Sequence, residues 1–193
     1  MSIVYSNSQG ERIRKIAELG EKVFHARDLA NLWQIKNRNT LHMTLARYVK
    51  ANLLHRIYKG FYSLVPVSKI DTFYLGAKAI SKYCYLTTET VLFQHGYISA
   101  EPQVVTFVSH KNLDFTLENI HYKCRSIADK YLLNPAGVVS KNKYFEACPE
   151  RAIADILYFR PTFHFDREPD WRSIKKIQQS VGYPLTPKRY DFT

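Results

Sequence analysis

The sequence is short of the residues that cross-link a chain or grip a cofactor. Its three cysteines, Cys84, Cys124 and Cys148, stand far apart with no paired spacing. That pattern argues against a disulfide framework and a cysteine zinc site, and marks them as small apolar fillers in a reducing compartment. The seven His include no His-Glu-x-x-His or other metal-binding spacing. The seven Gly are scattered, so there is no phosphate-cradling loop, no dinucleotide fingerprint and no Gly-x-Ser-x-Gly elbow. No apolar run approaches the ~20 residues of a membrane span. The first ten residues lack the basic-then-apolar order of an export signal. The expectation is a cytoplasmic protein with no metal, no cofactor and no membrane.

Acid is the most telling shortage. From Leu29 to Ile70 there is no Asp or Glu, while the same stretch carries Lys36, Arg38, Arg47, Lys50, Arg56, Lys59 and Lys69. The chain's formal charge is +11, and residues 1–70 supply most of it, with 12 Lys and Arg against 4 Asp and Glu. An ordinary solvated surface mixes both signs; a long stretch that excludes acids faces a polyanion.

The 193 residues are 46% hydrophobic, with 14 Tyr and 11 Phe. A chain of this size buries about 70% of its unfolded surface, as one large domain or two small ones. Ile13, Ile16, Ala17 and Leu19 follow helical spacing and predict a helix from Glu11 to Leu19, stopped by Gly20. A short second helix is expected from Ala26 to Trp33, then a polar turn from Gln34 to Asn37. A third runs from near Asn39, a suitable N-cap, to about Asn52. Its apolar stripe is Leu41, Leu45, Tyr48 and Val49, and its other side carries Arg38, Asn39, His42, Met43, Ala46, Arg47 and Lys50. Two short helices joined by a tight turn make a helix-turn-helix. Leu54 to Tyr58 and Phe61 to Leu64 are strand-like around the turn Lys59-Gly60, a hairpin placed as the wing of a winged helix. Pro66 closes it, and Val65 to Ile70 reads as a linker.

The fold class expected is therefore α+β: a winged helix-turn-helix over residues 1–68, then a mixed α/β unit over 71–193. In the second unit, helices are expected at Thr72–Tyr83, from Thr87 or Thr88 to Gly96, between Pro149 and Pro161, and at Trp171–Ser180. Strands are expected at Val104–Val108 and Ile120–Ile127, and a Pro-rich tail with Pro184 and Pro187 wraps the surface.

An α-helix fits the major groove of B-DNA, where side chains near its front read base edges. Asn39 suits adenine, Arg38 or Arg47 guanine, His42 an N7 or O6, and Met43 and Ala46 a thymine methyl. Lys36 and Lys50 suit phosphates. Arg56 and Lys59 on the wing suit phosphates or the adjacent minor groove, with Gly60 allowing close backbone approach. Trp33 and Tyr48 are assigned to the core. Catalytic signals are weak: Glu89 and Glu150 fall in first helical turns, where a carboxylate suits the dipole, and Arg151 and Asp155 are an i,i+4 pair.

Several segments together resemble the AbiEi family of abortive-infection antitoxins. Its winged-helix part is similar to Ala26-Arg27-Asp28-Leu29-Ala30, Asn39-Thr40-Leu41, Leu45-Ala46-Arg47-Tyr48-Val49-Lys50 and the run from Leu53 to Tyr62. Further on, Thr87-Thr88-Glu89-Thr90-Val91 with His95-Gly96 resembles the family's Ser-His-Glu-Thr-Ala segment, with Thr88 where the family has His. Pro149-Glu150-Arg151-Ala152-Ile153-Ala154-Asp155 resembles its Pro-Glu-Arg-Ala-Leu-x-Asp helix. The resemblance implies a repressor of its own operator in double-stranded DNA. It also implies that the second unit, with Glu89, Glu150, Arg151 and Asp155 as candidates, counters a nucleotidyltransferase toxin without needing to bind it. Two other readings stand beside it: a stand-alone regulator whose second unit senses a ligand or dimerises, and a degenerate nuclease-like enzyme.

Overall fold

A computed structural model describes residues 2–185; Pro187 and the end of the expected tail lie outside them. The described chain is mixed α and β, with eight α-helices and two sheets, and divides into two compact units, Met1–Asp71 and Thr72–Thr193.

The first unit runs α1 (Ser2–Glu18), β1 (Val23–His25), α2 (Ala26–Leu32), α3 (Arg38–Lys50), β2 (His55–Tyr58) and β3 (Phe61–Ser63). Helix α1 begins well before the expected Glu11, and β1 was not anticipated, being only three residues long and unalternating in pattern. The strands form an antiparallel sheet in the order β1-β3-β2. Every residue of β3 pairs with β1, from Val23 opposite Ser63 to His25 opposite Phe61. The apolar sides of the helices and sheet enclose Ile16, Phe24, Leu29, Trp33, Leu41, Leu45, Tyr48, Leu54 and Tyr62. Trp33 and Tyr48 meet edge to face at 5.4 Å, as core aromatics do. Ile70, at the end of the expected linker, is buried, and Val67–Lys69 forms a 3-10 turn.

One expectation is corrected here: Asn39 does not cap α3. The cap is Asn37, whose side chain accepts the Thr40 backbone N–H at 3.0 Å. Arg38 then takes the first helical position and Asn39 lies inside the first turn, its side chain released from capping.

The second unit runs α4 (Thr72–Ile80), β4 (Tyr85–Leu86), α5 (Glu89–Gln94), β5 (Val105–Ser109), β6 (Leu113–Leu117), β7 (Ile120–Ser126), α6 (Asp129–Leu132), β8 (Val138–Lys141), β9 (Tyr144–Ala147), α7 (Pro149–Phe159) and α8 (Trp171–Val181). Its six-stranded mixed sheet has the order β6-β7-β5-β4-β9-β8, with β5–β7 and β4–β9 parallel. Neighbouring residues of a strand face opposite ways. Tyr85 meets Arg151 of α7, while Phe107, paired with Leu86, lies under Gly76 of α4. The sheet is thus sandwiched, with α4 on one face and α7 on the other. A Cβ on Gly76 would fall 2.5 Å from the Tyr122 ring, so only glycine lets α4 approach this closely. Helix α8 is capped by Asp170, which accepts from the Arg172 and Ser173 N–H groups, and ends on Gly182 in the left-handed conformation.

Candidate nucleic-acid interface

Between α2, α3 and the β2–β3 hairpin lies a groove of about 840 Å³. Its position follows from the chain's local chemistry. Helices α2 and α3, the connection between them and the hairpin all contribute to its lining, and the Ala26 N–H bonds the Gly60 carbonyl at 2.8 Å, tying the hairpin tip to the start of α2. Gly60 holds φ +90°, a conformation that glycine adopts without strain, and space for a Cβ is open, so the backbone angle alone calls for glycine.

Eight of the expected residues meet at this groove: Lys36, Arg38, His42, Ala46, Lys50, Arg56, Lys59 and Gly60. They come from three separate stretches of chain, which no single helix pattern brings together. Arg27, from the first turn of α2, joins the rim and was missed. It stands beside Asp28, outside the acid-free stretch that drew attention to its neighbours; its placement one turn from a helix start was the available signal. The Asp28 carboxylate is turned to the His25 backbone N–H at 3.2 Å, closing a capping box.

Asn39, Met43 and Arg47 do not line the groove. They sit on the outer face of α3 and are exposed, Met43 to 69%. On α3 the expected set thus divides into exposed Asn39, Met43 and Arg47, and the groove-lining Arg38, His42, Ala46 and Lys50. The rim cations Arg27, Lys36, Arg38, Lys50, Arg56 and Lys59 are all exposed, and none forms an ion pair with a described residue. Six cations held open around one concavity create a positive field with no internal counter-charge.

The groove floor is apolar. Leu41, Leu45 and Tyr62 are buried there, with Ala26, Ala30, Ile35 and Val49 half-buried around them and Ala46 exposed. Val49 was expected deep in the α3 stripe; instead the stripe's buried set is Leu41, Thr44, Leu45 and Tyr48.

The candidates of the second unit are placed otherwise. Arg151 and Asp155 are wholly buried. All five guanidinium N–H donors are engaged: Nε with Asp155, Nη1 with the carbonyls of Asn134 and Ala136, Nη2 with the Tyr85 hydroxyl and the Tyr131 carbonyl. Asp155 also accepts from Thr87 and Tyr183, each at 2.7 Å. The Arg151–Asp155 pair is an internal fastening rather than a contact surface. Glu89 begins α5, as expected, and pairs with Arg125 at 2.7 Å and with Arg160. Burial alone would push its carboxyl up. Bonds from its own backbone N–H and from Thr88, with the charges of Arg125 and Arg160, outweigh that and hold it below its usual range. Glu150 is half-buried in the first turn of α7.

The cysteines are free thiols; burial pushes Cys84 and Cys124 up to about 12 and Cys148 up to about 11, so all are protonated near neutrality. Among the described residues, no group of His, Cys, Asp and Glu is placed to hold a metal, and no helix is long and apolar enough to cross a membrane.

No known family's sequence profile matches the chain, and no curated protein matches it. Among solved structures it is similar to the RV2827C protein of Mycobacterium tuberculosis. The two share 11% identity with a TM-score of 0.52, over 94% of this chain and 80% of that one. At that identity the likeness is one of fold.

Proposed function

We propose that the first unit is a winged helix-turn-helix and that the protein is a sequence-specific repressor binding double-stranded DNA. The single observation that carries this reading is the convergence of unpaired cations from α2, α3 and the hairpin on one groove, beside an exposed helix face of mixed chemistry. In this reading α3 enters the major groove, and Asn39, Met43 and Arg47 read base edges. Arg27, Lys36, Arg38, Lys50, Arg56 and Lys59 neutralise phosphates and fix the register. The strand order β1-β3-β2, with the hairpin directly after α3, supports it.

The sequence resemblance extends the proposal to an autoregulating antitoxin that counters a nucleotidyltransferase toxin. Selection from randomised duplex DNA tests the core of it: bound fragments should converge on one motif, and absence of enrichment over input contradicts sequence-specific repression.

A second reading is a stand-alone regulator, in which buried Arg151 and Asp155 serve only the internal network of the second unit. A neighbouring nucleotidyltransferase gene whose toxicity this chain relieves decides for the antitoxin; its absence decides for the regulator.

A further inference from the structure

The floor of the groove is more apolar than DNA binding requires. A phosphodiester strand is gripped by the rim, and cations alone suffice for that. Yet Ala30, Ile35 and Val49 are left half-open at the bottom of a concavity of about 840 Å³, inside the roughly 300–1,000 Å³ range of small-molecule sites. Concave apolar surface with a few charged groups at its edge is the usual build of a ligand pocket, and exposed apolar surface costs solvation unless something covers it.

The charge at the edge selects the occupant. Arg27 and Lys59 stand at the hairpin-tip end, and the acid next to them, Asp28, does not line the groove and has its carboxylate on the His25 backbone N–H. An occupant must therefore bring an apolar body for the floor and a negative head for the rim. We infer that the groove binds a small amphipathic anion, such as a medium-chain carboxylate, and that this ligand and DNA exclude one another.

The inference rests on the DNA-binding reading for its regulatory half, because the same cations serve both occupants. Phosphates and a ligand head compete for Arg27 and Lys59, so ligand binding lowers DNA affinity by linkage, in proportion to the fraction of protein it occupies. The ligand would act as an inducer that releases the operator.

The test uses the full chain and three probes held well below micelle formation. Decanoate carries both features, decan-1-ol the apolar body alone and acetate the charge alone. 8-Anilino-1-naphthalenesulfonate is the fluorescent reporter. The expected result is that the reporter lights up on the protein, that decanoate displaces it, and that decan-1-ol and acetate do so at least about tenfold less well. Ala30→Phe, which fills the floor, should weaken decanoate by about tenfold or more. A thermal melt establishes that this variant folds, and Val49→Lys, which places a charge on the floor, serves if it does not. Decanoate should also release bound duplex DNA, with the Ala30→Phe protein resisting release. Equal displacement by all three probes, or decanoate binding untouched by both variants, overturns the site. Decanoate bound without release of DNA overturns the competition and leaves the repressor reading standing. Displacement by decanoate in a protein that binds no DNA supports the pocket and overturns both the competition and the repressor reading.

Discussion

Arg151 and Asp155 lie one helical turn apart on α7, both wholly buried, with Nε 2.9 Å from Oδ1. Around them the Tyr85 and Tyr183 rings lie 5.2 and 5.5 Å from the guanidinium carbon. Three backbone carbonyls and the Tyr85 hydroxyl close the remaining donors, so the pair joins β4, α7, the 131–136 segment and Tyr183 beyond α8 into one network. Removing one partner strands a buried charge. Arg151→Ala or Asp155→Ala should each cost about 3–5 kcal/mol, read by urea unfolding of the second unit's transition. A loss near zero would mean the network does not hold this unit together.

Asn37 and Asn39 should behave differently. Asn37→Ala removes the cap of α3 and should destabilise the protein by about 1 kcal/mol. Asn39→Ala should leave the melting temperature unchanged and alter only DNA preference. Equal destabilisation by the two would place the cap at the wrong residue.

These two positions also show what the sequence conveyed. Two asparagines stand within three residues of each other before an apolar stripe, and either offers an oxygen at the right height. Only backbone geometry chooses between them. The long periodic helices were legible from their stripes, as with α7 between Pro149 and Pro161. The short strands β1, β4, β8 and β9 were not, because two to four residues carry no period and no Gly hairpin turn marks them as Lys59-Gly60 marks β2 and β3. The acid-free stretch pointed to most of the groove's cations, but not to Arg27 or the apolar floor. Those depend on α2, α3 and the hairpin converging on one groove, a tertiary fact.

Glu89 gives a pH signature. Its carboxyl is held below the ordinary value of 4.5 in the folded protein. The stability it contributes is present above that value and is lost as pH falls through the lower folded one. Unfolding measured between about pH 7 and pH 3 should show wild type losing stability relative to Glu89→Gln across the acid end. Parallel curves for the two proteins would show that the folded carboxyl is not held below its ordinary value.

The two faces of α3 should fail in different ways. Arg47→Ala, on the outer face, should cost about 1–3 kcal/mol on the selected operator and blur preference at one position. Lys59→Ala and Arg27→Ala, on the groove rim, should weaken operator and random duplex alike. A change of sequence preference in Lys59→Ala, with none in Arg47→Ala, would reverse the assignment.

The salt dependence of DNA binding tests the central claim most directly. If about five of the six rim cations meet phosphates, the logarithm of the binding constant should fall linearly with the logarithm of salt concentration, with a slope of about −4 to −5. The slope should become shallower by about 1 for each rim cation replaced by alanine. A slope indistinguishable from zero, or no binding to duplex DNA at low salt, would contradict the account.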